Sequence, residues 1–196
     1  ERKTAGRPVR ATGGIPEMES HLRILVLVPN LRLGGAQRSA IKTFDVLSAD
    51  HDVRFAVFDS REAAYPAPAG TLDLDLPPKS GFAAKTAQVL RRRKAVRRLL
   101  RRERIDVCVS FGPTANIVNV LAGTKAKKII NVRGYASAGG SAFYRFQYRR
   151  SDAIICCSRE IKERIDRLSP KAAHKTAVLY NPFDTDKIRK MGEEPV

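Results

Sequence analysis

The residues of this sequence that stand at chemically useful spacings are glycines, hydroxyls, amides and cations. Gly34 and Gly35 follow an apolar run and precede a helix-like pattern. At such a turn the backbone can approach a ligand closely, and the first N–H groups of the helix present partial positive charge to it. Anions suit that place, although glycines before a helix also serve the turn alone. Comparable turns recur at Gly112, Thr114 and Asn116, at Arg133, Gly134 and Tyr135, at Ser158 and Arg159, and at Asn181. No Ser/His/Asp arrangement, carboxylate pair or metal-ligand cluster accompanies them, and His21, His51 and His174 fall outside these turns. The chemistry expected is that of a polar, cationic cleft that binds and positions, with no metal and no intrinsic cofactor.

Strands and helices in alternation must position those turns. The run 24–29 is almost purely aliphatic and too short for a bilayer, which predicts a strand buried on both faces of a parallel sheet. Ala36, Ala40, Ile41, Phe44 and Leu47 sit near helical spacing and predict a helix over 36–47. Further strands are predicted at 53–58, 71–77, 105–111, 127–133, 153–157 and 176–180, the one at 71–77 alternating as a half-exposed strand would. Helices are predicted over 79–104, 114–122 and 143–150, and after Ser158, where Ile161, Ile165 and Leu168 recur. Thr114 is placed to act as an N-cap. Right-handed crossovers then give an α/β fold: a mostly parallel sheet of about six or seven strands, helices on both faces, and ligands outside the carboxyl ends of the strands.

A chain of 196 residues with 43% hydrophobic residues suits one domain with a full core. Residues 1–20 lack periodicity and are rich in Gly, Pro and charge, so they read as a flexible tail or an expression remnant. Cys108, Cys156 and Cys157 lie inside apolar runs with neither disulfide nor zinc spacing, which predicts reduced, buried thiols in a cytoplasmic protein. No apolar run long enough to span a membrane and no signal-peptide pattern is present.

Charge is the extreme feature: 37 Lys and Arg against 20 Asp and Glu give +17, so polyanions are the expected partners. Much of the excess falls in the helix predicted over 79–104. Val89, Leu90, Val96, Leu99 and Leu100 form its apolar stripe, while Arg91, Arg92, Arg93, Lys94, Arg97, Arg98, Arg101 and Arg102 crowd the other faces, joined by Lys85 and Arg104 and opposed by Glu103. Such a surface is either a solvated face or a docking face for a polyanion. Arg145, Arg149 and Arg150, interleaved with Tyr144, Phe146 and Tyr148, either extend it or pack and are solvated.

Four segments occur in one order: LGGAQR after the first strand, SFGPTANIVNVLA after the fourth, then SDAIICCSREIKERI and TAVLYNPFD. Together they resemble the N-terminal domain of a family 4 glycosyltransferase, which has the GT-B fold; the resemblance covers roughly residues 22–190. It implies a Rossmann-like, acceptor-side domain over 21–183, with 184–196 beginning the connection to a C-terminal donor domain that the sequence lacks. It also implies retention of anomeric configuration, a nucleotide-sugar donor (a UDP- or GDP-sugar), and a glycan or lipid-linked acceptor of the cell envelope. The family's paired glutamates and nucleotide pocket belong to the second domain, so this half alone is expected not to turn over.

Carried over by position, the resemblance places Gly34 and Gly35 opposite the donor diphosphate. It places Gly112, Thr114, Asn116, Arg133, Gly134 and Tyr135 on the acceptor side, and Ser158, Arg159 and Asn181 at the cleft edge. Arg133 stands where many relatives carry histidine, and a permanently charged fork suits phosphate or carboxylate better than proton transfer; a solvated strand-end arginine is the alternative. Gln37 stands where many relatives carry Glu. Thr114 and Asn116 equally suit capping and helix packing. The resemblance further suggests a peripheral enzyme on the inner face of the cytoplasmic membrane, its basic helix against anionic headgroups. Two other readings are a nucleic-acid-binding protein, which the charge allows but no recognisable module supports, and a non-catalytic interaction domain with the same fold.

Overall fold

The aliphatic run predicted at 24–29 forms β1 (Arg23–Val28), an interior strand of a seven-stranded parallel sheet. The structure, a computed structural model, describes residues 21–181 together with Arg189 and Gly192; the expected tail and, those two residues apart, the expected interdomain connection lie outside the described residues. After β1 come α1 (Gly35–Leu47), β2 (Asp52–Val57), β3 (Leu72–Asp73), α2 (Phe82–Arg102), β4 (Val107–Phe111), α3 (Pro113–Leu121) and β5 (Lys127–Val132). A 3-10 turn (Tyr135–Ala138), α4 (Ala142–Arg150), β6 (Ala153–Cys156), α5 (Arg159–Leu168), a second 3-10 turn (Pro170–Lys175) and β7 (Thr176–Val178) follow.

The strand order is β3-β2-β1-β4-β5-β6-β7. β1 pairs with β2 from Arg23↔Asp52 to Val28↔Val57, and with β4 from Ile24↔Val107 to Leu27↔Ser110. Because the chain leaves β1 in one direction and returns to β4 in the other, the switch point lies between these two strands, and ligands of such sheets bind outside the carboxyl ends there.

Alternation along β1 divides the core. Ile24, Val26 and Val28 join Phe55, Val57, Val109 and Phe111 under α1, with Ala40, Ile41 and Phe44 packed against them. Leu25 and Leu27 belong to the larger core under α2, α3, α4 and α5, with Val96, Leu100, Val118, Tyr148, Ile161 and Ile165. Helices cover both faces as expected; within residues 21–181, α1 lies on the first and α2, α3, α4 and α5 on the second. Cys108 and Cys156 are buried free thiols and Cys157 is half-buried; burial pushes the Cys156 thiol up to about 12 and leaves it inert.

Three local expectations change. The strand predicted at 71–77 pairs in regular ladder only over Leu72–Asp73, because Asp75 takes φ 49. The amides of Leu74 and Leu76 still donate to the carbonyls of Val57 and Phe58. Thr114 is not the cap of α3: Gly112 is, at φ 86, with Pro113 as the first helical residue, a position where the missing N–H costs nothing. In α2 the inward stripe is Gln88, Arg92, Val96, Leu99 and Leu100, the i, i+4 row that faces the sheet, whereas Leu90 is exposed.

Candidate functional site

The carboxyl ends of the strands gather most of the expected residues. At the end of β1, Gly34 caps α1 with an extended backbone, and Gly35 opens the helix with no neighbouring atom where a Cβ would project. A Cβ on Gly34 would lie 2.5 Å from Oε1 of Gln37, whose side chain folds over the glycine and whose Nε2 donates to Oδ1 of Asn30 at 3.2 Å. The first turn of α1 carries no acidic side chain, so the positive end of its dipole is not neutralised from within the helix.

At the end of β5, Arg133 gathers distant parts of the chain. Its Nη1 donates to Oγ of Ser39 on α1 at 3.2 Å and to Oδ1 of Asn181, and its Nη2 donates to Oδ1 of Asn131 at 3.2 Å. Ser39 Oγ itself donates to the same Asn181 oxygen at 3.1 Å. The guanidinium carbon stands 5.2 Å from the centre of the Phe111 ring, and Nε is buried without a hydrogen-bond partner. Among the described residues no carboxylate forms an ion pair with Arg133. Burial holds this guanidinium below the usual arginine value. The site is therefore a partly desolvated cation facing neutral oxygens and an aromatic ring, an arrangement that favours an anion.

Tyr135 is a little over half exposed in the 3-10 turn beyond Gly134. Arg164 of α5 holds it: the guanidinium carbon lies 4.2 Å from the ring centre, Nη1 donates to Oη at 2.8 Å, and Nε donates to the carbonyl of Ala138 at 3.0 Å. Gly112 needs its left-handed backbone for the β4–α3 turn. Ser158 is the N-cap of α5, accepting from the amide of Ile161 at 3.3 Å, and Arg159 is exposed on the first turn of that helix. No hydrogen bond links either residue to the Arg133 cluster among the described residues.

Two expectations are corrected by burial. Asn116 does not line the acceptor side: it is 2% exposed, accepts from Ser110 Oγ at 2.9 Å and donates to the carbonyl of Asn131 at 3.0 Å, locking α3 onto β4 and β5. Arg92 does not belong to the polyanion surface, since its Nε and Nη2 both donate to the carbonyl of Leu76. Arg93 is half-buried and donates to the carbonyl of Leu121 at 2.7 Å. Arg91, Lys94, Arg98, Arg101 and Arg102 remain exposed. Ser39, Asn131 and Phe111 were not anticipated: Ser39 meets Arg133 across 94 residues, whereas Asn131 stands two residues before Arg133, an i, i+2 spacing that the sequence does display.

Among the described residues no group of three or more His, Cys, Asp and Glu could hold a metal ion, and no helix is long and apolar enough to cross a membrane.

A parallel sheet of this order, with its polar and cationic side chains collected beyond β1, β4 and β5, is the Rossmann-like half of a GT-B fold. The chain belongs to a glycosyltransferase family: residues 33–187 match the model of Glycosyltransferase Family 4 (Glyco_transf_4). No curated protein matches it by sequence.

Solved structures agree on the fold. Alr3699/HepE of Anabaena, in complex with UDP and glucose, is 16% identical with a TM-score of 0.55, over 88% of this chain and 50% of that one. The lipopolysaccharide outer core galactosyltransferase WaaB in its apo form is 16% identical with a TM-score of 0.55, over 83% and 46%. UDP-N-acetylglucosamine 2-epimerase from Rickettsia bellii is 12% identical with a TM-score of 0.63, over 88% and 48%. The chain thus spans about half the length of these proteins. An epimerase and a galactosyltransferase share this architecture, so the family match carries the class and the structural likeness carries the fold.

Proposed function

We propose that this chain is the acceptor-binding half of a retaining, hexosyltransferase-type enzyme that moves a sugar from a nucleotide-sugar to a glycan or lipid-linked acceptor. The observation that carries the reading is the family match over 33–187. The Rossmann-like sheet and the cation at its carboxyl edge, which has no carboxylate partner among the described residues, support it. The UDP and glucose bound by the Anabaena protein make a UDP-sugar the first donor to test, with GDP-sugars next.

In this reading the backbone at Gly34 and Gly35, with the unneutralised end of α1, faces the donor diphosphate brought across by a second domain. Arg133 supplies the fixed positive charge of the cleft, and Gly112, Thr114, Gly134 and Tyr135 border the acceptor, with Ser158, Arg159 and Asn181 at its rim. The acceptor hydroxyl attacks the anomeric carbon on the face from which the diphosphate departs. Main-chain amides and cations stabilise the charge that develops on the leaving group, and holding both substrates in one geometry supplies the rest. The acidic residues such transfer uses belong to the donor half, so this half by itself does not turn over.

The enzyme works in the cytoplasm on the inner membrane surface. α2 and α4 lie on the same face of the sheet, with Arg91, Lys94, Arg98, Arg101 and Arg102 exposed on one and Arg145, Arg149 and Arg150 on the other. Cations near an anionic leaflet contribute up to about 1 kcal/mol each, so a handful of them give reversible docking.

The test is transfer of labelled UDP- and GDP-sugars to bacterial membrane extracts by a polypeptide joining this domain to its downstream donor half. Label entering the glycan or lipid fraction supports the reading. Absence of transfer with every donor, from a protein that binds UDP, supports a non-catalytic interaction domain instead.

A further inference from the structure

β7 is the outermost strand on its side of the sheet, with β6 between it and β5. The amide of Leu179 still donates to the carbonyl of Cys156 at 2.9 Å, as an extension of the β6–β7 ladder. Two residues later the side chain of Asn181 reaches Arg133 beyond β5 and Ser39 on α1. The segment 179–181 therefore turns back across the carboxyl edge of the sheet, and Asn181 is held there by a guanidinium and a hydroxyl rather than by strand pairing.

The guanidinium that holds it is poorly compensated. All three hydrogen-bonding oxygens around Arg133 are neutral, Nε has no partner, and no ion pair reaches it among the described residues. Both N–H groups of Nη1 are already engaged, by Ser39 and by Asn181. An oxyanion that takes the Nη1 side of the fork must displace one of them. An oxyanion adds to that hydrogen bond the attraction between two full charges in a partly desolvated site, which a neutral amide oxygen lacks, so at sufficient concentration it displaces the tethered amide.

We propose that Asn181 is an internal competitor for the anion site of Arg133: its amide oxygen occupies the guanidinium until a phosphate-type oxyanion replaces it, and the exchange releases segment 179–181 from the sheet edge. The inference rests on the reading of this edge as the site of an anionic ligand. It adds that ligand capture and the course of the chain leaving the domain are coupled, each weakening the other by the same factor.

Inorganic pyrophosphate is the probe, titrated calorimetrically against the 196-residue chain. Asn181→Ala removes the competitor and should tighten pyrophosphate binding by roughly tenfold, the worth of one hydrogen bond to a charged group. Asn181→Asp tethers a carboxylate to the same cation and should weaken binding at least as much. Ser39→Ala removes the second hold on Asn181, should tighten binding several-fold, and serves in place of Asn181→Ala if that variant does not fold by circular dichroism. In the wild type, pyrophosphate should speed amide exchange at residues 179–181 while leaving β1 and β4 unchanged. Competition is overturned if neither Asn181→Ala nor Ser39→Ala binds more tightly than wild type, or if Asn181→Asp binds no more weakly. Should Arg133→Ala abolish binding while the Asn181 variants match wild type, the cleft cation stands and the competition falls. Should Arg133→Ala bind like wild type, both fall.

Discussion

Arg92 lies over the ring of Phe58, its guanidinium carbon 4.5 Å from the ring centre, while Nε and Nη2 both donate to the carbonyl of Leu76 at 3.1 and 2.6 Å. One cation of the basic helix is thus a brace between α2 and the segment after β3. Burial pushes this guanidinium below the usual arginine value, opposed by the charge of Asp59. Arg92→Ala strips the carbonyl of its donors and removes stacked area, so it should cost about 2–3 kcal/mol. Arg98→Ala, at an exposed position of the same helix, should stay within about 0.5 kcal/mol. Urea unfolding of the two variants checks the contrast.

The same division applies to membrane docking. Sedimentation with phosphatidylglycerol vesicles should fall in the combined variant Arg98→Ala, Arg101→Ala, Arg102→Ala, and should be weak for every variant with pure phosphatidylcholine. Equal binding of the wild type to both lipids would remove the membrane from the proposed function. Each cation lost should reduce the docking free energy by up to about 1 kcal/mol at low salt, with the effect shrinking as salt is raised.

Gly112 and Gly35 should respond oppositely to alanine. At Gly112 a Cβ would meet nothing closer than Pro29 Cγ at 3.7 Å, so space is adequate, but φ 86 is a backbone that alanine adopts poorly. Gly112→Ala should lose about 1–2 kcal/mol. Gly35 opens α1 with empty space around the added carbon, and Gly35→Ala should be neutral or gain up to about 1 kcal/mol through helix propensity. Thermal melts of both variants decide this.

Asn116 makes a structural prediction where the sequence suggested a ligand contact. Asn116→Ala leaves Ser110 Oγ and the carbonyl of Asn131 without this amide in a buried layer between α3 and the sheet. A loss of about 2 kcal/mol is expected. Pyrophosphate affinity at 25 °C should be unchanged in the fraction that remains folded.

Asp152 gives the pH dependence a definite sign. Burial works to raise its pKa, but the side-chain hydrogen bond from Lys128 (2.9 Å), the Lys128 amide (2.7 Å) and the charges of Lys128 and Lys127 outweigh it, and the carboxyl is held below the usual value. A carboxyl depressed in the folded state contributes stability that is fully present above the unfolded value of about 3.9 and is lost as pH falls through the folded value. Asp152→Asn should therefore lower stability near neutral pH and flatten its acid decline below about pH 5. Urea midpoints measured from pH 7 to pH 3 give both quantities.

Much of the fold was legible because its signals are local. The aliphatic run at β1, the glycine turns and the helical spacing of Ile161, Ile165 and Leu168 require only neighbours in the chain, and the parallel architecture follows from their alternation. The turns that gather at the carboxyl edge were legible for the same reason. Thr114 and Leu90 misled because single-residue preferences compete: Pro113 is a better first helical residue than Thr114 is a cap, and an i, i+4 row admits Gln88 and Arg92 before Leu90.

What the tertiary structure decided is the employment of each polar side chain. Sequence alone marked Asn116, Arg92 and Arg133 as polar groups near turns or on a basic face, and could not say which would be consumed inside the protein. Asn116 and Arg92 meet carbonyls 15 and 16 residues away, and Arg133 meets Ser39 across 94 residues and Asn181 across 48. Such pairings depend on strand order and crossover path, which no local pattern encodes. The glycine pair that opens α1 kept its expected place at the sheet edge, whereas the cation at the end of β5 acquired, from a residue 48 positions further on, an amide oxygen where the sequence suggested a ligand.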